Sequence, residues 1–319
     1  MRHFTPTSPL RRTLCASFAA IALGTLCLPA AHAQSYPNKP IKFVVPFSAG
    51  SATDSVGRIL AQAMSEAWGQ PITVENKAGA NGILGAEVVK AAPADGYTFL
   101  VTTSTTQAAN VHLYRKLPYD PVKDFTPIGK IGETGFILMV NNDFPAKDMK
   151  EFVSYAKANP GKLAFGHGSS GSLVSAAMLT ELAGLQTVNV PYKSIPPALT
   201  DLLGGQIDAM VDQLSSSVAH IKGGRMTAIS LLGPERDPLL PDTPSTKEVG
   251  LPTLDISTTL GLLAPAKTPE ATVKQLGEAL FKVLQDPAIK EQLLNVASVA
   301  RPGPTNAFSV LLKRDRKSV

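Results

Sequence analysis

The stretch "IKFVVPFSAGSATD", Ile41 to Asp54, decides how the rest of the chain is read. A strand-like run, "IKFVV", with four apolar β-favouring residues, ends in a loop of small residues, and a helical pattern begins straight after. From Ser55 to Trp68 the residues Val56, Ile59, Leu60, Ala63 and Met64 recur at the spacing of one helix face. A strand that runs into a Gly/Ser loop and then a helix is the opening unit of an α/β fold. Its loop keeps bulky side chains away from the first amides of the helix.

The same alternation continues outward from that unit. "PITVEN" reads as a strand, "ILGAEVVKAA" as a helix, "GYTFLVTTS" as a strand, "MKEFVSYAKA" as a helix and "KLAFG" as a strand. "SLVSAAMLTELAG" reads as a helix with Leu173, Val174, Ala177, Met178 and Leu182 along one side. "ALTDLLGG" is a helix with Pro197 in its first turn and glycines at its end, and "QIDAMV" is a strand. Thr268-Pro269 and Asp286-Pro287 have the form of an N-cap followed by a first-turn proline, each opening a helix. Strands alternating with helices predict α/β architecture with a largely parallel sheet. "GETGFILMVNN" and "ISTTLGLLAPA" read as strands joining two larger units, the first of them discontinuous in sequence.

The N-terminus is a targeting segment. Arg11 and Arg12 precede an uncharged apolar run from Leu14 to Leu28, and "AHAQ" supplies a small-x-small cleavage pattern after Ala33. The run is shorter than the roughly 20 residues that a spanning helix needs. We therefore read 1–33 as a cleaved signal peptide of the general secretory type, leaving 286 residues exported to the periplasm. Both cysteines, Cys15 and Cys27, fall within it. The exported part then has no thiol, which excludes a disulfide framework, a cysteine-ligated metal and a cysteine nucleophile. Removing the segment takes three arginines and no acid, so 27 basic residues face 25 acidic ones. That balance gives no footprint for nucleic acid.

A second loop resembles the first. "AFGHGSSGS", Ala164 to Ser172, again joins a strand through Gly and Ser to a helix. The first amides of a helix have no internal partner and carry the positive end of its dipole, so both loops are candidate anion sites. Plain capping by Ser or Asp accounts for either loop singly. Asp54 reads as the N-cap of the first helix. His167 sits within the second loop, with ligand contact and solvent exposure both open. Asp208 reads as the start of a strand and Asp212 as a lone carboxylate at the cleft edge; Tyr192 and Lys193 stand just past a strand end. "GHGSSG" also fits the dinucleotide pattern G-x-G-x-x-G, but the next strand, "TVNV", ends in Pro191, Tyr192 and Lys193, where a ribose-binding acid is required. His112, His167 and His220 have no zinc spacing, and no G-x-S-x-G elbow or Walker lysine is present. We expect no catalytic residues, no metal and no cofactor.

Five stretches carry a resemblance: "VVPFSAGSATDSVGRILAQ", "VENKAGANGILGAEVVKAAPADGYTFL", "LYRKLPYDPVKDFTPIG", "VPYKSIPPALTDLLGGQIDAM" and "GLLAPAKTPEATVKQL". Together, and in this order, they resemble the extracytoplasmic solute receptors of tripartite tricarboxylate transporters, the Bug-type receptors. The resemblance implies a two-lobed periplasmic binding protein, type II-like, with each lobe a mainly parallel sheet flanked by helices and the ligand in the cleft between lobes. The lobes would be 34–136 with 258–319, and 137–257. It implies a small carboxylate as ligand, a membrane transporter of the tripartite tricarboxylate type or a sensor protein as partner, and a monomer. Carried over by motif, Phe47, Ser48, Ala49, Gly50, Ser51 and Asp54 would form one side of the site, with Thr103 and Ser104 after the third strand. Ser169, Ser170 and Gly171 would form the other side, with Tyr192 and Asp212 at the wall. The family pattern has glycine where this chain has Ser51, and often where it has Ser194.

Overall fold

The computed structural model describes residues 36–303 together with Phe308 and Leu312. The expected signal peptide and the basic end "KRDRKSV" lie outside the described residues. From Lys39 onward the described residues form one compact unit.

Its opening strand β1 (Ile41–Val45) pairs in parallel with β2 (Ile72–Asn76) and with β3 (Thr98–Thr103). Between them run α1 (Ala52–Trp68) and α2 (Ile83–Lys90). A π turn, Thr105–Ala109, and the short α3 (Asn110–Leu113) follow β3. Then comes β4 (Phe125–Asn141), 17 residues long. Its strand signature began only at Gly132, because Pro127 and Gly129 interrupt the residues before it, where the pairing with β9 shifts register. At Gly132 a Cβ would stand 2.3 Å from the carbonyl oxygen of Val299, so only glycine lets that neighbouring chain approach.

The segment that follows contains α4 (Met149–Ala158), β5 (Leu163–His167), α5 (Ser170–Ala183) and β6 (Thr187–Pro191). It continues with α6 (Ile195–Leu203), β7 (Ala209–Gln213), α7 (Leu214–Lys222) and β8 (Met226–Leu231). The chain returns through β9 (Ser257–Pro265) and closes with α8 (Glu270–Gln285), α9 (Pro287–Asn295) and β10 (Val299–Gly303). Asp286 caps α9 as its sequence predicts, accepting from Ala288 N at 2.8 Å. Thr268 does not cap α8; its hydroxyl donates to the Pro265 carbonyl at 2.8 Å, and Pro269 takes the N-cap place.

The ten strands make one sheet with the path β2-β1-β3-β9-β4-β7-β5-β6, and β8 and β10 pair with β4 outside it. Parallel pairing is confined to the wings, β1 with β2 and β3, and β5 with β6 and β7. The centre, where β4 and β9 run the chain in and out, is antiparallel, so the sheet is mixed. Residues 125–135 of β4 pair with β9, and residues 136–141 pair with β7 and β8. One strand therefore belongs to both wings.

Alternation along β4 splits the core. Phe136, Leu138 and Val140 join Phe152, Phe165, Leu179 and Val211 on one face, while Ile137 and Met139 join Leu199, Met210 and Val218 on the other. Each such side chain contributes about 1.5–3 kcal/mol on full burial. In α5 the face predicted to be apolar is turned outward: Met178 and Leu182 are exposed, and Ser172, Ser175, Ala176 and Leu179 are buried. The small residues of that strip let the helix lie close on β5 and β7.

Candidate functional site

The first loop is held by its own residues. Ser51 is the N-cap of α1, with extended backbone and its Oγ accepting from Asp54 N at 3.3 Å. That corrects the assignment of the cap to Asp54, which lies in the first turn. The Asp54 carboxylate instead braces the loop: Oδ2 accepts from Gly50 N at 2.9 Å and Arg58 Nε at 3.0 Å, and Oδ1 from Asn76 Nδ2 at 2.8 Å. Asn76 Nδ2 also donates to the Phe47 carbonyl at 3.0 Å. Gly50 adopts φ +79, which lets the loop turn its amide back onto that carboxylate. Burial alone would raise the pKa of Asp54, but the bonds from Arg58, Asn76 and Gly50 hold it below the usual carboxylate value. Ala49 and Gly50 are exposed at the tip, Ser48 is half-buried and Phe47 is buried.

The second loop repeats the construction. Ser169 is extended and caps α5, its Oγ accepting from Ser172 N at 3.1 Å. His167, at the end of β5, is 9% exposed, and burial lowers its pKa, so the imidazole is neutral near pH 7. Each helix thus presents a serine-capped first turn, with the amides at Ala52, Thr53 and Ser170 lacking an intrahelical acceptor.

Three hydrogen bonds join the segments around the two loops. Ser194 Oγ, at the N-cap of α6, donates to Ser48 Oγ at 2.7 Å. Ser170 Oγ donates to Asn110 Oδ1 at 2.6 Å, and Gly171 N donates to Thr105 Oγ1 at 3.3 Å. These bonds tie the first loop to the start of α6, and the first turn of α5 to the π turn and α3 that follow β3. Ser104 accepts from Thr259 N at 3.1 Å, and Thr103 is buried with its Oγ1 unpartnered. Tyr192 turns its hydroxyl away to Asp201 Oδ2 at 2.7 Å; burial and the Asp201 carboxylate push its pKa up to about 12.

Asp212 is fully buried near the end of β7. Its Oδ2 accepts from the Ser216 hydroxyl, and Oδ1 has no partner. Burial pushes its pKa up to about 7, against the lowering effect of Ser216 and the Gln213 amide. Asp208, just before that strand, accepts from Ala164 N at 2.7 Å. His112 is exposed on α3, and His220 lies near the end of α7.

Sequence reasoning missed Thr105, Gln107 and Asn110, and noted Ser194 only as a departure from the family pattern. Gln107 is 1% exposed with both amide atoms unpartnered. One signal was available: "STTQAAN" is a run of small and polar residues directly after a buried strand, where a solvated loop has no reason to be so uniform.

The glycines of "GHGSSG" have packing roles. A Cβ at Gly166 would stand 2.3 Å from the Ile207 side chain, one at Gly168 2.3 Å from the Ser194 carbonyl carbon, and one at Gly171 3.1 Å from the Phe136 ring. Among the described residues no three His, Cys, Asp or Glu are placed to hold a metal, and no helix is long and apolar enough to cross a membrane.

Residues 56–301 match the model of the tripartite tricarboxylate transporter family receptor. The chain is 32% identical to protein BugT of Bordetella pertussis over 284 residues, 86% of each chain. Its structure is similar to that of MatC from Rhodopseudomonas palustris with bound malate, with a TM-score of 0.84 and 34% identity over 89% of this chain and 98% of that one. It is also similar to R. palustris Rpa4515 with adipate, with a TM-score of 0.87 and 28% identity over 89% of this chain and 95% of that one.

Proposed function

The chain belongs to the tripartite tricarboxylate transporter receptor family, a family of periplasmic solute-binding proteins, and from that premise we propose that it captures a small carboxylate between two lobes and presents it to the membrane subunits of such a transporter. The lobes are 34–136 with 258–319, and 137–257, and the protein acts in the periplasm after cleavage behind Ala33. We read it as a receptor and not as an enzyme, because the family it belongs to is one of solute receptors.

The observation that carries this reading is the pair of serine-capped helix starts, α1 after Ser51 and α5 after Ser169, joined around the site by the Ser48–Ser194, Ser170–Asn110 and Gly171–Thr105 bonds. Two helix N-termini converging on one place suit a carboxylate without any basic side chain. The packing roles of the three glycines in "GHGSSG" favour the same reading over a nucleotide loop.

The test is a thermal-unfolding screen of the protein without residues 1–33 against mono-, di- and tricarboxylates, amino acids and, as controls, NAD and NADP. A ligand at 100 times its dissociation constant stabilises the folded state by about 2.7 kcal/mol. A shift with a carboxylate and none with nucleotides is expected. A shift with NAD alone overturns the proposal.

A further inference from the structure

Resting on the receptor reading above, the geometry points to a ligand that carries a positively charged amine as well as its carboxylate, with Asp212 as the group that receives the amine.

The position of Asp212 follows from register. In the parallel pair of β5 and β7, Phe165 lies beside Ala209 and Gly166 beside Met210. One and two residues further on, His167 and Gly168 of the second loop run alongside Val211 and Asp212. Val211 belongs to the core face that α4 and α5 cover, and Met210 to the opposite face, with Ile195, Leu199 and Leu214. Strand alternation puts Asp212 on the side of Met210, towards the start of α6. That start presses on the loop: the backbone of Ser194 and Ile195 occupies the space where a Gly168 Cβ would be. Ser194 in turn donates to Ser48 of the first loop. The Asp212 carboxyl thus sits at the corner where both loops and the first turn of α6 meet.

No described residue supplies a cation there. No lysine or arginine among the described residues is buried. The other buried carboxylate of the site, Asp54, has Arg58 at 3.0 Å. Around Asp212, its own segment offers Ser216 and the Gln213 amide, and β4 offers apolar Ile137 opposite it. From β5 comes His167, kept neutral by burial; from α5 comes Ser172, whose hydroxyl goes to the Val211 carbonyl. Tyr192, before α6, is bonded to Asp201, and Lys193 beside it is exposed. A buried carboxyl with one oxygen unpartnered and no base in reach either holds its proton or takes a cation from outside.

The helix starts of α1 and α5 already favour one negative charge. A zwitterion places its carboxylate on those amides and its ammonium on Asp212, so no net charge enters the site. A second carboxylate on the ligand would meet a carboxyl with no base to offset it.

The test uses matched acids that share a carbon chain and differ in one substituent: aspartate, malate and succinate, and glutamate, 2-hydroxyglutarate and glutarate, with the remaining amino acids against their hydroxy analogues. Titration calorimetry on the protein without residues 1–33 should show the amine member binding at least about tenfold more tightly than its hydroxy partner. Asp212→Asn should lose that advantage while binding of the hydroxy acid changes less. Wild-type protein supplies a readout that needs no variant to fold: near pH 6, amine binding should release a proton from Asp212, seen by repeating the titration in buffers of different ionisation heat. Equal or tighter binding of the hydroxy or unsubstituted acid, or proton uptake on binding, overturns the inference and leaves the carboxylate receptor standing. Binding of no carboxylate at all by folded protein overturns both.

Discussion

Asp54, in the first turn of α1, and Asp212, near the end of β7, are both buried acids, and their surroundings send them in opposite directions. Asp54 has an arginine, an asparagine and a backbone amide on its two oxygens, so it stays ionised and fixes the first loop. Asp212 has the Ser216 hydroxyl on one oxygen and nothing on the other, so burial dominates and its pKa rises from 3.8 to about 7. Between those two values the folded state holds a proton that the unfolded chain has released. Stability then falls as pH rises from about 4 to about 7, and levels off above. Without ligand, thermal unfolding of the wild type should therefore show this acid-side gain, and Asp212→Asn should flatten it. Parallel curves for the two proteins would mean that the carboxyl is not isolated as described. The sequence made the loop serines and Asp212 legible as candidates, since Gly/Ser runs at strand ends point to helix starts. It could not show that Asp54 braces its own loop, because the partners Arg58 and Asn76 are four and 22 residues away. Nor could it show Gln107, since a polar residue buried in a π turn follows neither the strand nor the helix period.

Elements were read most securely where one period ran without interruption. The helix at Met149–Ala158 falls on the predicted residues, and β1 to β3 follow their apolar runs. The start of β4, before Gly132, was hidden by Pro127 and Gly129, which antiparallel pairing absorbs as a register shift. In α5 the helix was predicted correctly and its buried face was not, because apolar residues occur all round it and serines pack inward. Close packing also explains "GHGSSG", whose pattern alone allowed a nucleotide loop. Gly168→Ala would drive a Cβ into the Ser194 and Ile195 backbone at 2.3 to 2.5 Å, a contact no rotamer change relieves. Overpacking of this kind costs about 1–3 kcal/mol. The variant should unfold at lower temperature than wild type in the absence of any ligand. Unchanged stability would mean that the glycine is not required by packing, and would reopen its role as a place where a ligand approaches the backbone.

At the scale of the molecule, β4 and β9 decide how the two wings of the sheet can work. Both wings hang on β4, which pairs with β9 along its first half and with β7 and β8 along its second. A bend in such a strand changes the angle between wings without breaking either core, which is the requirement for a binding protein that closes on its ligand. The Ser48–Ser194 and Ser170–Asn110 bonds join residues 146 and 60 positions apart and tie one wing to the other, so on the proposed two-lobed reading they hold the closed form. Each is worth about 1 kcal/mol net, so removing both with Ser48→Ala and Ser170→Ala should tilt a closed-to-open equilibrium by about 2 kcal/mol, a factor of roughly 30. Small-angle scattering on the unliganded double variant should then give a larger radius of gyration than wild type. A saturating ligand should restore the wild-type value, because a ligand that bridges both loops binds the closed form better and draws the population back. The same tilt must appear as weaker binding, since part of the binding free energy now goes into closure. A radius that grows while affinity stays fixed would detach these bonds from ligand capture. An unchanged radius and an unchanged affinity would show that the wings are held by the sheet alone and do not move about β4.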